Sequence, residues 1–299
     1  MAEWTTVAGG LRFPEGPVAM ADGSVVLVEI EAGRITLVRP DGVKVTIATP
    51  GGGPNGLAIG PDGKLYCCNN GGFVYHERGG LLVPGGQPDD YSGGRIERID
   101  LATGAIETLY RDGDFGCTLR GPNDIVFDVH GGFWFTDHGK TRARERDVTG
   151  IFYAHADGSR LEEVIFPSEN PNGIGLSPDG ATLYAAETWT CRLSAYPVTA
   201  PGKAGPGGGI HRPAGNTWFD SLGVEACGNI CVATIGECGI SVISPAGELV
   251  EFVPTDDVFT TNICWGGEDM MDAYVTCSGT GRLVKTRWPR PGLKLAYSA

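Results

Sequence analysis

Short apolar runs, each following a tight-turn signal, recur along the chain: Val25-Val26-Leu27-Val28, Leu65-Tyr66-Cys67-Cys68, Phe133-Trp134-Phe135-Thr136, Leu183-Tyr184-Ala185-Ala186, Ile230-Cys231-Val232-Ala233 and Ala273-Tyr274-Val275-Thr276. Runs this short, bounded by turn residues, predict strands. The turns before the first five carry Gly23, Gly63, Gly131, Gly180 and Gly228, which supply positive φ at low cost, and the sixth has Met270 instead.

A second element precedes each turn at fixed phase. It reads Phe13-Pro14-Glu15-Gly16-Pro17, Gly53-Pro54-Asn55-Gly56-Leu57, Gly121-Pro122-Asn123-Asp124-Ile125 and Asn170-Pro171-Asn172-Gly173-Ile174, with weaker copies at Trp218-Phe219-Asp220-Ser221-Leu222 and Thr260-Thr261-Asn262-Ile263-Cys264. Seven residues past Glu15, Asn55, Asn123, Asn172, Asp220 and Asn262 lie Asp22, Asp62, His130, Asp179, Cys227 and Asp269. With a further hairpin such as Arg34–Val38, each unit has four strands. The units are spaced by 40, 68, 49, 49 and 42 residues, and about 40–50 residues is the size of one propeller blade. The expectation is a six-bladed β-propeller of four-stranded antiparallel blades around a central channel, one domain over residues 1–299. A long loop accounts for the 68-residue interval, at about 77–94, and the strand near Trp4–Val7 closes the ring in the last blade.

Composition fits this reading. Glycine (48) and proline (20) are abundant, but 41% of residues are hydrophobic and 20% charged, which argues against disorder. A net charge of −13 excludes a basic footprint for nucleic acid or an anionic membrane and suits neutral ligands and cations. Met1-Ala2-Glu3-Trp4-Thr5 has no signal-peptide pattern, and no apolar run reaches the ~18 residues of a membrane span. Nine cysteines without a Cys-x-x-Cys pair read as buried free thiols. A cytoplasmic protein, monomeric or a small homo-oligomer, is expected.

In a propeller the first strand of each blade lines the channel, so the six in-phase oxygen side chains should meet near the mouth opposite the hairpin turns. Two carboxylates and four amides form a hard-ligand set suited to Ca²⁺, Mg²⁺ or Mn²⁺, with Zn²⁺ also accepting carboxylates. Any one of the six, after Pro or Gly at a strand start, could simply shape a turn. Glu15 and Asp220 carry most of the functional weight, because unpaired carboxylates near an axis repel without a cation. Asn55 and Asn262 read as polar lining or turn-shaping positions.

The Glu-Gly-Pro-Val element at 15–18, Gly-Pro-Asn-Asp at 121–124 with Trp134–Asp137, and Pro-Asn-Gly-Ile-Gly-Leu-Ser-Pro-Asp-Gly at 171–180 with Leu183-Tyr184 resemble the gluconolactonase / senescence marker protein / luciferin-regenerating enzyme family over essentially the whole chain. The resemblance implies one divalent cation at the channel mouth, Ca²⁺ first, with Zn²⁺, Mn²⁺, Mg²⁺ or Fe²⁺ as alternatives. By position Glu15, Asn172 and Asp220 match the metal ligands and Asn123 the substrate-side asparagine. The implied activity is metal-dependent hydrolysis of small cyclic esters, sugar lactones or smaller γ/δ-lactones, so a lactone is the expected small-molecule partner, and Asp220 is the candidate proton acceptor. One departure is the family's arginine two residues before the asparagine, which is Gly121 here. Arg120 stands one residue earlier. The expected pocket neighbours Phe13, Leu119, Trp189, Phe219 and Phe259 are apolar, which suits a smaller or less hydroxylated lactone.

Competing signals are weak. Gly139-Lys140-Thr141 lacks the earlier glycine of a P-loop, and neither His-Glu-x-x-His nor Gly-x-Ser-x-Gly occurs. His138 and Glu187 could approach the pocket, but a surface loop and a solvated position suit them better. The other readings are a protein-interaction propeller, a non-catalytic calcium-binding protein, and a related propeller hydrolase of aryl esters or phosphotriesters.

Overall fold

A computed structural model describes residues 3–215 and 217–298. Six antiparallel sheets stand in a ring, each built from neighbouring strands. Their innermost strands are Pro14–Ala19, Pro54–Ile59, Pro122–Phe127, Pro171–Leu176, Trp218–Val224 and Thr260–Gly266. Thr5–Ala8 pairs with Arg282–Arg287 and supplies the outer strand of the sixth blade, so the two ends of the chain close the ring as expected. In the fourth blade Lys203–Ala204 and Gly208–His211 both pair with Arg192–Ala200. Among the described residues no helix is long and apolar enough to cross a membrane.

The turns behave as their sequences require. Asp22, Asp62, Asp179 and Asp269 each accept the amide two residues on, at 2.9–3.2 Å, the Asx-turn bond that makes Asp favourable there. In the third blade Asp128, not His130, does this, accepting the His130 amide at 2.8 Å. Cores of Val, Ile, Leu and aromatic side chains lie between blades, as around Tyr66, Phe127, Phe133 and Phe135. All nine cysteines are free. Five are buried, whereas Cys227 is exposed in its turn.

The 68-residue interval differs from the expected loop. Tyr75–Arg78 and Leu81–Pro84 pair as a separate hairpin across Gly79-Gly80, the two-glycine turn that suits adjacent positive φ. The Leu82 amide donates to Gly279 O at 2.8 Å, pinning this hairpin to the sixth blade.

Candidate functional site

All six inner strands slip register at the repeated polar position, between Glu15 and Val18, Pro54 and Leu57, Pro122 and Ile125, Pro171 and Ile174, Phe219 and Leu222, and Thr260 and Asn262. A bulge re-aims side chains and interrupts the ladder, freeing these residues to face the channel. The neighbouring glycine then lets the strands crowd the axis. A Cβ on Gly16, at φ +52°, would stand 2.3 Å from Asn55 O, and one on Gly173 would stand 2.5 Å from Leu222 N.

Glu15, Asn55, Asn123, Asn172 and Asp220 line a cavity of about 480 Å³ at the mouth. Asn262 instead borders a cavity of about 120 Å³ toward the other end, beneath Leu293–Ser298, and donates Nδ2 to Glu15 Oε2 at 2.8 Å. Asp124, which sequence reasoning passed over, lies on that deeper side. Its signal was present, since it stands where three of the other blades carry glycine after the polar residue (Gly16, Gly56 and Gly173).

The electrostatics of the mouth are unbalanced. Glu15 Oε1 and Asn123 Oδ1 are buried without a partner. Burial pushes the Glu15 carboxyl up, against opposing bonds from Asn262 and the Gly16 amide. Asp220 is pushed well above the usual carboxylate range by burial and then by the Glu15 charge. The same two causes raise Asp124 to about 7. Among the described residues no Lys or Arg lines the cavity. Nor do three His, Cys, Asp or Glu side chains form a metal cluster among them; the converging oxygens at the mouth are carboxylates mixed with amides. Orphaned oxygens and mutually repelling carboxylates suit a hard divalent cation.

Other expected site residues divide. Phe13, Trp189 and Phe259 line the cavity, and the Arg146 guanidinium lies 5.4 Å from the half-exposed Trp189 ring. Phe219 does not line it. It is fully buried in the hydrophobic core beside Leu193 and Leu222, because strand alternation turns it away from its neighbour Asp220. Leu119 is likewise in the core. Arg120 points outward, its guanidinium paired with Asp112 at 2.9 Å and both side chains well exposed.

Two positions read as solvated are not. His138 lines the cavity, its Nδ1 unpartnered, and burial followed by the Lys140 charge lowers its pKa to about 4. Glu187 is buried and accepts Ser168 Oγ at 2.8 Å, with Arg192 at 2.7 Å. The lysine of the rejected P-loop match is also buried. Lys140 Nζ donates to Gly72 O at 2.7 Å and lies 3.7 Å from the Phe73 ring centroid. Phe73, Tyr75, Trp218 and Thr188 complete features of the cavity that sequence reasoning missed.

Comparisons with known proteins agree with this architecture. A gluconolactonase of Zymomonas mobilis is 23% identical over 94% of this chain and 80% of its own length. A lactonase drp35 of Staphylococcus haemolyticus is 29% identical over 80% of this chain and 68% of its own. The solved structure of a calcium-binding protein, regucalcin, from Agrobacterium tumefaciens superposes with a TM-score of 0.72 at 20% identity, covering 95% of each chain, a likeness of fold. The family model "SMP-30/Gluconolactonase/LRE-like region" matches residues 13–279, most of the chain. The chain therefore belongs to the SMP-30/gluconolactonase/LRE-like family.

Proposed function

We propose that this protein is a lactonase, adding water to a small cyclic ester to give the hydroxy acid, with a divalent cation held by Glu15, Asn172 and Asp220. The observation that carries the reading is the pair of buried, partnerless oxygens, Glu15 Oε1 and Asn123 Oδ1, in a cavity that also holds Asp220 and, among the described residues, is lined by no Lys or Arg. The names of the two relatives, gluconolactonase and lactonase, support the reaction class. The calcium binding named for the regucalcin structure supports Ca²⁺ as the ion.

A bound cation would supply Lewis-acid polarisation of the ester carbonyl. The chain's own groups supply positioning and proton transfer. Asn123 orients the ring, its amide facing the carbonyl oxygen on which charge develops. Water attacks the carbonyl carbon, and the Asp220 carboxylate accepts its proton. The proton passes to the ring oxygen as the C–O bond breaks. Burial and then the Glu15 charge raise the proton affinity of Asp220, the direction that favours a proton acceptor. Thr188 Oγ1 accepts Asn172 Nδ2 at 3.2 Å and Ser221 Oγ donates to Asn172 Oδ1 at 3.3 Å, fixing that amide.

The test is pH-stat hydrolysis of aldono- and alkyl γ- and δ-lactones by chelator-treated and cation-reconstituted protein. Cation-dependent turnover is expected. Absence of any such rate above background on every lactone contradicts the assignment.

A further inference from the structure

We infer that the lactone this cavity selects carries an apolar alkyl substituent, not a polyhydroxylated one. The ring chemistry rests on the lactonase reading above, and the substituent rests on separate observations.

The lining is divided by blade. Beyond the polar inner-strand positions, the sixth, first and second blades contribute Phe259, Phe13, Ile30, Phe73 and Tyr75, all hydrophobic or aromatic. The facing third and fourth blades contribute the polar His138, Thr141 and Thr188 beside Trp189, and the fifth adds Trp218 and Ile235. Beyond the inner-strand positions, a ring bound over Glu15 and Asp220 therefore meets a few polar groups toward the third and fourth blades and mostly aromatic and aliphatic side chains around the rest of the mouth, continuous across the sixth, first and second blades. At about 480 Å³ the cavity falls within the range that holds drug-sized ligands, leaving room for several carbons beyond a lactone ring.

The wall is built before a ligand arrives. The Phe13 ring packs 5.2 Å from Tyr75 and 6.0 Å from Phe259, centroid to centroid. The hairpin carrying Tyr75 is pinned to the sixth blade through Leu82, and the Gln87 amide donates to Thr141 O at 2.9 Å. Lys140 fixes the preceding turn through Gly72 O and Asn70 Oδ1 at 2.7 and 3.2 Å. A preorganised wall costs little ordering on binding.

On this wall a methylene leaving water gains about fourfold in affinity. A hydroxyl placed there loses its water partners and, away from Tyr75 Oη, which is itself buried without a partner, finds no donor or acceptor, a loss of about tenfold. The cations that could have greeted sugar hydroxyls are committed elsewhere, Arg120 to Asp112 and Lys140 to the 70–72 turn.

The experiment is kcat/KM for cation-loaded protein across γ-lactones from γ-butyrolactone to γ-nonalactone, with glucono-δ-lactone alongside, in the parent, Phe73→Ala and Phe259→Ala. Expected is a rise of about fourfold per added methylene until the wall is filled, with glucono-δ-lactone below the longer alkyl lactones. In both variants the nonalactone-to-butyrolactone ratio falls. A flat series, or preference for glucono-δ-lactone, overturns the inference while leaving the lactonase reading intact. If no lactone is opened, the lactonase reading fails, and tryptophan-fluorescence titration with δ-lactams decides the inference alone. Tighter binding of a hexyl-substituted lactam than of a polyhydroxylated one sustains it; equal or weaker binding overturns it.

Discussion

Two pairs of carboxylates in this propeller have opposite fates. Glu29 and Glu225 sit at strand ends away from the cavity. Glu29 accepts Arg34 Nε and the Arg12 amide at 2.8 Å and Thr36 Oγ1 at 2.7 Å. Glu225 accepts Trp288 Nε1 and Arg290 Nε at 2.7 Å and Asn229 Nδ2 at 2.8 Å. Burial would raise both, yet these partners outweigh it and hold both below the ordinary carboxylate range. Glu15 and Asp220, at the channel mouth, are raised instead. The difference lies in partners as well as in depth: arginines stand at the strand ends, and among the described residues no Lys or Arg lines the mouth. The two fold-holding carboxylates are satisfied by protein, while the pair at the mouth is left short of partners, as the proposed cation site requires.

The largest effect that sharpens this contrast is on activity. Asp220→Asn keeps the shape but removes the proposed proton acceptor, and kcat/KM for lactone opening should fall by about 10²–10⁴-fold. Retention of full turnover with unchanged cation affinity would remove Asp220 as the base. Stability should split by sign. Glu225→Gln leaves Arg290 only the exposed Glu251, at 3.0 Å, and should cost about 2 kcal/mol in urea unfolding. In chelator at pH 7.5, Glu15→Gln should gain about 1 kcal/mol by removing a buried charge without a counterion. Losses of similar size in both would break the contrast.

Much of this was legible in the residue pattern. The Asp-Gly phase locates the six inner strands because turn chemistry is local. The residues it marked do line the channel, five of them at the mouth. The bulges that turn them inward leave no residue signature, and alternation around them defeated the placement of Phe219. His138 and Glu187 looked solvated because their burial depends on distant segments; Asn170 Nδ2, 32 residues away, donates to His138 O at 2.7 Å. The hairpin under Tyr75 was readable from Gly79-Gly80, but its docking on the sixth blade was not.

Smaller effects test the supports. Burial lowers Lys140 to about 7, below its unfolded value of about 10.4, so the unfolded chain binds more protons between those limits. Stability from this residue therefore rises as pH increases from about 7 to about 10. Urea unfolding at pH 7 and 9.5 should show a steeper rise for the parent than for Lys140→Met; parallel lines would contradict it. The smallest effect belongs to Arg120, whose partner is an exposed aspartate. Arg120→Ala should change stability by less than about 0.5 kcal/mol, and a large loss of turnover would return this arginine to the site.

The most direct measurement is the unfolding temperature of chelator-treated protein during Ca²⁺ titration at pH 7.5, compared with Glu15→Gln. A ligand held only by the folded state at about a hundred times its Kd adds about 2.7 kcal/mol. The account predicts a saturable rise of that order in the parent and a much weaker one in the variant. No shift with Ca²⁺, Zn²⁺, Mn²⁺, Mg²⁺ or Fe²⁺, or equal shifts in both proteins, would contradict a cation site at the channel mouth.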